Sequence, residues 1–326
     1  MPEGHSVHRI ARQFDRNFVG RAVRASSPQG RFAEGAAIID GHTVTEVVAS
    51  GKQMFLGFDI DLWLRVHLGM YGAWDFSGEI LVDATIAASG GRMGQTHQRG
   101  TVIDAAGEDS LTSIGAPRRA RGHVRMGEET TGESEPAEWP PPPVGQVRLR
   151  LLTDRTCADL RGPTACELQT AEQMTATLDR LGPDPLVGDR DEGERRFVAA
   201  AGRSRTPIAL VLMDQSVIGG IGNVYRCELL FRARLNPHRS ARDVGQAQLR
   251  SLWADWCTLL AAGVATGQMM TMDDLSPEQW RRAMAQREDR HWVYRRAGLP
   301  CRVCGTPVAA EQLGGRTLYW CPECQA

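Results

Sequence analysis

The order of apolar and polar residues divides the chain into two kinds of structure. Near the N-terminus, apolar residues recur at helical spacing as far as Gly20, which predicts an amphipathic helix. Short runs with strand character follow, and one more comes later: RAVRASS, HTVTEVVAS, QMFLGFDI and LWLRVHL, then GQVRLRLLT. Because Gly and Asp punctuate the first four runs, we expect an antiparallel β domain.

Two segments interrupt these patterns. Residues from about 87 to 143 are dominated by Gly, Ser, Thr, Glu and Arg and end in four consecutive prolines, which predicts a largely disordered insertion. The insertion is interpreted either as a linker or as a partner site or lid. The segment LGPDPL, residues 181–186, predicts an extended connector that ends the β domain. Beyond it the period is helical, over 191–202, 207–214, 223–233 and 243–263.

Four of the eight cysteines form two C-x2-C pairs separated by sixteen residues, and they are Cys301, Cys304, Cys321 and Cys324. This spacing is typical of a zinc ribbon, in which four thiolates hold one structural ion and leave no position for a reacting water. The alternative is a pair of disulfides, which suits a small secreted domain. The start MPEGHSVHRI has no apolar signal core and no apolar run is long enough to span a membrane, so we expect a cytoplasmic protein.

Charge points to an anionic partner and to one unusual residue. The net charge is −1, yet residues 201–240 hold six basic and two acidic side chains. Of the 38 basic residues in the chain, Lys52 is the only lysine. A lysine amine can release a proton when its pKa is lowered, whereas a guanidinium stays charged. Lys52 is therefore a candidate for proton transfer, with chance survival on a solvated surface as the alternative.

Further candidates lie at both ends of the chain. If Met1 is removed, Pro2 becomes a free secondary amine beside the carboxylate of Glu3, a combination that can attack an aldehyde-like carbon and move a proton. Many chains begin with Met-Pro without such chemistry. Arg316 lies on the turn of a predicted hairpin that leads into the second cysteine pair, where it is either aimed at a phosphate or sugar or simply solvated.

A glycine turn precedes one of the predicted helices. Thr206 and Pro207 predict a helix start, and Gly219-Gly220 interrupt the chain before a helix that opens near Asn223. Such a turn leaves free backbone N–H groups at a helix N-terminus, which form an anion site. An ordinary helical hairpin explains the glycines equally well.

Taken in order, several of these stretches resemble the formamidopyrimidine-DNA glycosylase and endonuclease VIII family of DNA repair enzymes, and in particular its actinobacterial endonuclease VIII branch. The stretches are MPEGHSVHRIAR, GKQMF, HLGMYG, DLRGPT, LGPDPL, MDQSVIGGIGNVYR, and CRVC through GGRTLYWCPECQ. They cover both ends and most of the chain outside the insertion. The resemblance implies an α+β multidomain fold. It consists of an N-terminal antiparallel β-sandwich with a flanking helix (1–180), a helix-two-turn-helix domain (181–285) and a zinc-ribbon β-hairpin (286–326).

The resemblance also implies roles for individual residues. Pro2 would attack the sugar and hold it as a Schiff base, Glu3 would donate a proton, Lys52 would serve β-elimination, and Arg316 would serve δ-elimination. The implied DNA contacts are Asn223 at the backbone of the flipped nucleotide, Met70 and Tyr71 as a wedge in the duplex, and His67 and Arg161. Without the family match, Met70 and Tyr71 would be interpreted as core residues. Ser6 stands where the purine-lesion branch has an acidic residue.

These implications predict a monomeric, zinc-containing DNA glycosylase and abasic-site lyase for base excision repair. It would act on double-stranded DNA with damaged bases or abasic sites, with oxidised pyrimidines favoured. An enzyme for oxidised purines is the rival within the family. A DNA-binding zinc protein without catalysis is the rival outside it, and the presence of all four candidate catalytic residues argues against that rival.

Overall fold

The computed structural model describes residues 2–81, 113–116 and 139–326. Its helices are α1 (Gly4–Asn17), α2 (Ala33–Ile39), α3 (Ala171–Asp179), α4 (Arg190–Ala201), α5 (Ile208–Val211), α6 (Asn223–Arg232), α7 (Gln246–Thr266) and α8 (Pro277–Ala285). Its strands are β1 (Arg24–Ser26), β2 (Val44–Ser50), β3 (Gln53–Phe58), β4 (Leu62–His67), β5 (Ala73–Gly78), β6 (Ser113–Gly115), β7 (Val147–Leu152), β8 (Thr156–Arg161), β9 (Ala165–Thr170), β10 (Ala309–Leu313) and β11 (Arg316–Trp320). None of the helices in these ranges is long and apolar enough to cross a membrane.

The N-terminal half is built from two antiparallel sheets. One has the strand order β1-β7-β8-β5-β6 and the other the order β2-β3-β4-β9. Apolar side chains from both sheets and from α1 form one hydrophobic core. Phe14 of α1 lies edge-on against Trp74 of β5, with 4.7 Å between ring centroids. The predicted antiparallel β domain with a flanking helix is therefore confirmed.

Strand β6 corrects the expectation for residues 87–143. It pairs with β5 in the register Trp74↔Ile114, and Ile114 is fully buried in the core of the N-terminal half. An isolated Ser-Ile-Gly gives little periodicity, so the strand is visible only through its long-range pairing. The rest of the predicted insertion up to residue 138 lies outside the described residues.

The helical half and the C-terminal hairpin share a second core. Trp253 and Trp256 of α7 belong to it together with Leu318 of β11 and Cys321. Helices α1, α4, α6 and α7 lie close to their predicted positions, but the helix expected over 207–214 is the single turn α5. Helices α2, α3 and α8 were not predicted. After Val211 the hydrogen bonds follow the 3₁₀ pattern, because the N–H groups of Met213 and Asp214 bond to carbonyls three residues back.

Helix α1 belongs to both halves. While Phe14 packs into the first core, Arg9 donates to the carbonyl of Val264 in α7 at 3.0 Å. The ring of His5 lies edge-on to Tyr225 of α6, with 5.6 Å between centroids. The predicted N-terminal helix thus lies between the β domain and the helical half and holds the first residues of the chain in place.

Glu228 of α6 fixes the segment that leads into the hairpin. Its fully buried carboxylate accepts hydrogen bonds from the backbone N–H groups of Trp292, Val293 and Tyr294 at 2.8–3.0 Å. The hydroxyl of Thr271 donates to it at 2.6 Å. A buried carboxylate needs such donors, because leaving one unpaired is costly.

We expect Glu228→Gln to destabilise the protein, because an amide N–H would face backbone donors that now bond to a carboxylate. The loss should be about 2 kcal/mol, measured as a shift in chemical denaturation. The same substitution at Glu172, an exposed residue of α3, serves as a control and should change stability little. Equal stability of the two variants would contradict the assigned role of Glu228.

Candidate active site

A cavity of about 210 Å³ lies where the two halves meet. It is lined by six of the residues singled out in the sequence, namely Pro2, Lys52, His67, Met70, Asn223 and Arg316. Val7, Leu68, Met213 and Gln215 also face it. The structure thus brings together the start of the chain, the β2–β3 turn, the end of β4, the loop before α6 and the tip of the β10–β11 hairpin. A cavity of this volume with polar and apolar lining suits a small ligand or an extruded group.

Glu3 lies next to this cavity at the N-terminus of α6. Its fully buried carboxylate accepts hydrogen bonds from the N–H groups of Gly222 at 2.8 Å, Val224 at 2.9 Å and Tyr225 at 3.4 Å. The helix N-terminus is an anion site, as predicted, but the anion it holds is the chain's own Glu3. Burial raises the pKa of Glu3, while the positive charge of Lys52 and these backbone donors oppose the rise.

The glycine turn lets the chain start approach α6 closely. The N–H of Gly4 donates to the carbonyl of Gly220 at 2.9 Å. A Cβ atom on Gly4 would come within 2.9 Å of the Cα of Gly220, which itself has a φ of +89°. The glycines therefore do more than end a helix, because larger residues would push Glu3 away from its donors.

Lys52 lies in a two-residue turn between β2 and β3. Gly51 adopts a φ of +58° there, and its N–H donates to Oδ2 of Asp184 at 2.7 Å. The buried Asp184 also accepts from Nε2 of His8 in α1 at 2.8 Å and from the N–H of Leu186 at 2.9 Å. Asp184 was not predicted as part of the site, although its place between two prolines of the connector is visible in the sequence.

The ammonium of Lys52 donates to the carbonyl of Ile221 at 2.6 Å. Burial lowers the pKa of Lys52, the charge of Glu3 opposes this, and the positive charge of Arg316 lowers the pKa further. The pKa of His67 is also lowered, first by burial and then by the charges of Lys52 and Arg65. Lys52 therefore lines the cavity with its ammonium bonded inside the protein, and its pKa lies below that of a solvated lysine.

Arg316 follows the turn of the hairpin. Gly314 and Gly315 form that turn with φ values of +63° and +71°, which few residues other than glycine adopt. Arg226 of α6 holds the end of β10 by donating to the carbonyl of Leu313 at 3.3 Å. The hairpin tip is thereby fixed from α6, and Arg316 lines the cavity rather than lying free in solvent.

Asn223 is engaged within the protein. Its Nδ2 donates to the carbonyl of Thr317 at 2.8 Å, and its Oδ1 accepts from Arg226. The predicted DNA-binding asparagine therefore links α6 to strand β11 in this structure. Arg226 was missed in the sequence, where nothing distinguishes it from the other arginines.

The loop between β4 and β5 presents Met70 and Tyr71. Their exposed fractions are 36% and 67%, which excludes the interpretation as core residues. Arg161 lies elsewhere: it forms a two-contact ion pair with Asp75 on the neighbouring strand, with Nη2 to Oδ1 at 3.1 Å. Its guanidinium does not line the cavity.

The four predicted cysteine ligands form one cluster. Their Sγ atoms all lie within 4.8 Å of one another, with 3.9 Å between Cys301 and Cys324 and 3.4 Å between Cys304 and Cys321. Sulfur atoms at the corners of a tetrahedron with Zn–S bonds of about 2.3 Å lie about 3.8 Å apart. The donor set thus fits one structural Zn²⁺ and not two disulfides, whose S–S distance is about 2.05 Å.

Comparison with known protein families agrees with this geometry. Residues 1–165 match the formamidopyrimidine-DNA glycosylase N-terminal domain, residues 181–274 the H2TH domain of the same enzymes, and residues 298–326 the zinc finger found in FPG and IleRS. "Endonuclease 8 1" of Mycobacterium tuberculosis is 36% identical over 327 residues, with 100% of each chain covered. The chain belongs to the formamidopyrimidine-DNA glycosylase and endonuclease VIII family.

Other members are similar over a shorter stretch or in fold. Formamidopyrimidine-DNA glycosylase of Methylococcus capsulatus is 40% identical over 162 residues, which are 49% of this chain and 58% of that protein. The Lactococcus lactis Fpg in complex with abasic-site DNA has a TM-score of 0.68 at 17% identity, with 99% of each chain covered. The MutM (FPG) protein of Thermus thermophilus has a TM-score of 0.63 at 24% identity, with 99% of this chain and 98% of that chain covered. The family resemblance and the zinc finger predicted from the sequence are thus confirmed.

Removal of zinc should loosen the hairpin first. Because Leu318 and Cys321 belong to the core shared with the helices, we expect a lower melting temperature and faster amide hydrogen exchange in β10 and β11. Strands β2 to β4, in the other core, should keep their protection. Zinc content measured alongside exchange provides the check, and an unchanged hairpin in demonstrably zinc-free protein would contradict a structural ion.

The pKa of Lys52 can be measured directly, because ¹³C-lysine labelling gives one side-chain NMR signal in a chain with one lysine. We expect its midpoint below the ordinary value of 10.5. The charge of Glu3 stabilises the ammonium, so Glu3→Gln should lower the midpoint further. Arg316→Gln removes a like charge and should raise it. A midpoint that rises in Glu3→Gln would contradict this electrostatic arrangement.

Proposed function

We propose that this family member is a bifunctional DNA glycosylase and abasic-site lyase of base excision repair. It removes oxidised bases from double-stranded DNA, with pyrimidine lesions favoured, and cuts the strand by β,δ-elimination. The observation that carries this proposal is the convergence of Pro2, Lys52 and Arg316 on one cavity, with the carboxylate of Glu3 beside it. These groups come from distant parts of the chain, and each has the chemistry that one step of the reaction needs.

Pro2 is the nucleophile. After removal of Met1 its secondary amine attacks C1′ of the damaged nucleoside, the bond from C1′ to the base breaks, and the opened sugar is held as an iminium. The base departs with a proton, which Glu3 supplies or relays. Burial raises the pKa of Glu3, so its carboxylate takes up a proton more readily than a solvated one and can pass that proton to the departing base.

Lys52 and Arg316 serve strand scission. In β-elimination a proton leaves C2′ of the iminium, a C2′–C3′ double bond forms, and the bond from C3′ to its phosphate oxygen breaks. In δ-elimination a proton leaves C4′ and the bond from C5′ to its phosphate oxygen breaks, so that each phosphate departs with the electron pair of its C–O bond. Lys52, with its lowered pKa, is placed to donate a proton near the departing groups. Arg316 keeps its charge and offers the guanidinium fork that phosphate binding favours.

The exposed loop between β4 and β5 provides the wedge. A base inside a duplex must be extruded before C1′ can be attacked, and an apolar side chain then fills the gap. Met70 lines the cavity, and Tyr71 next to it in the chain is exposed, which suits this role. His67 lines the cavity as a further contact, while Asn223 and Arg161 each use part of their donors within the protein, on Thr317 and Asp75 respectively.

The preference for oxidised pyrimidines rests on the extent of two sequence similarities. The similarity to "Endonuclease 8 1" extends over the whole chain, whereas the similarity to the formamidopyrimidine-DNA glycosylase of M. capsulatus covers 49% of the chain. Ser6 does not supply the acidic contact of the purine-lesion branch: it is fully buried, bonds to His5 at 3.2 Å, and is not among the residues that line the cavity. Competing duplexes with an oxidised pyrimidine or an oxidised purine distinguish the two substrates.

Reductive trapping tests the chemistry. Mature protein incubated with a duplex that carries one abasic site and with borohydride should form a covalent adduct, mapped to Pro2 by mass spectrometry. Binding without an adduct would favour the DNA-binding protein that lacks catalysis.

Lys52→Arg tests the lysine separately. It keeps the positive charge but loses the titratable amine, so we expect unchanged affinity for abasic DNA and scission slowed by about 10²-fold, the lower range for general acid–base catalysis. Covalent trapping of the abasic site on Pro2 by borohydride should persist in this variant. Scission at the wild-type rate would remove Lys52 from the mechanism.

A further inference from the structure

Gln215 faces the cavity but uses its amide within its own loop. Its Nε2 donates to the carbonyls of Met213 at 2.9 Å and Ile221 at 3.0 Å. Its Oε1 accepts from the N–H of Gly220 at 3.0 Å. Both amide hydrogens and the amide oxygen are thus engaged, so the side chain holds the loop between α5 and α6 in one shape and leaves no donor for a substrate.

The carbonyl of Ile221 connects Gln215 to Lys52. That single oxygen accepts from Gln215 and also from the Lys52 ammonium, at 2.6 Å. A carbonyl has two lone pairs, so the two donors occupy it together. The position of the ammonium in the cavity therefore depends on where Gln215 holds the Ile221 carbonyl.

The hydrogen bonds of Gln215 also lead to Gly51, the residue before Lys52. The carbonyl of Gln215 accepts from the N–H of Gly182 at 2.8 Å, in the connector that also carries Asp184. Asp184 in turn fixes the N–H of Gly51, the residue before Lys52, at 2.7 Å. The turn that carries Lys52 and the carbonyl that binds its ammonium are thus both held against one short segment, residues 182–184.

We propose that Gln215 is a positioning residue for Lys52 in strand scission. This inference rests on the proposed function, since it assumes that Lys52 transfers a proton there. Gln215 sets where the ammonium lies relative to the sugar held on Pro2, without touching the substrate. The charged and titratable groups near the ammonium are Glu3, Arg316, His67 and the Pro2 amine of the mature protein. The bonds of the Gln215 amide go to Met213, Gly220 and Ile221 instead.

The variant Gln215→Met tests this role, because methionine has a similar length but no amide. Gln248→Met is the matched control: Gln248 also donates from Nε2 to a backbone carbonyl, that of Ala233 at 3.3 Å, but does not line the cavity. Each protein is assayed on a preformed abasic-site duplex, with borohydride for adduct formation at Pro2 and without it for strand scission. Gln215→Met should slow scission about tenfold or more. This is a part of the full contribution of general acid–base catalysis, which is about 10²- to 10⁴-fold. The adduct formation of this variant should stay within about twofold of wild type, as should both rates of the control.

A double-mutant cycle separates positioning from general damage to the fold. If Gln215 acts through Lys52, Gln215→Met should slow scission in the wild-type background but add little to Lys52→Arg. Additive effects in the double variant would overturn the proposal. So would equal loss of adduct formation and scission, or no loss at all.

Lysine NMR without DNA tests the positioning role of Gln215 separately from the proposed glycosylase and lyase function. The single ¹³C-lysine signal should change its shift or its titration midpoint in Gln215→Met but not in Gln248→Met. If the methionine variant fails to fold, Gln215→Glu takes its place. The new carboxylate lies near the ammonium and should raise the pKa of Lys52. The fall in scission rate at alkaline pH should then occur at higher pH than in wild type. An unchanged signal in a folded Gln215 variant overturns the positioning role, whereas absence of any adduct in wild type overturns the proposed function alone.

Discussion

The contact on which the site depends is the bond between the Glu3 carboxylate and the N-terminus of α6. Three backbone N–H groups bind one buried anion, and the helix dipole adds to the attraction. The contact joins residue 3 to residues 222–225, so it holds the chain start against the loop that carries the Ile221 carbonyl. If it broke, the carboxylate and the helix end would both be left buried without partners, which makes the intact geometry strongly favoured.

The cavity lies between two hydrophobic cores rather than inside either. Helix α1 packs on both, and Asp184 ties α1 to the β2–β3 turn through His8 and Gly51. The hairpin is fixed from the other side, since Arg226 binds the end of β10 and Leu318 lies in the second core. Cavity-lining groups held by packed elements in this way keep their mutual distances.

Much of the fold and of the site was predictable from local signals. The helical and strand periods gave most elements, the cysteine spacing gave the zinc site, and residue chemistry singled out Lys52, Pro2 and Glu3 before the structure was known. Gln215, Asp184 and Arg226 were missed, because each acts through partners far away in sequence or through a loop whose shape no spacing reveals. Strand β6 was missed for the same reason, since three residues carry no period of their own. The family resemblance implied a DNA contact for Arg161, and no local signal showed its ion pair with Asp75 on the adjacent strand.

The distance along the chain between Pro2 and Arg316 has a consequence for synthesis. Pro2 is made long before Arg316, and the cavity lacks a wall until the hairpin that carries Arg316 has been made and the cysteines after it have followed. A nascent chain can therefore complete strands β2 to β4 of the N-terminal half and still hold only part of the cavity lining. The cavity acquires its full lining only after the hairpin that carries Arg316 has been translated.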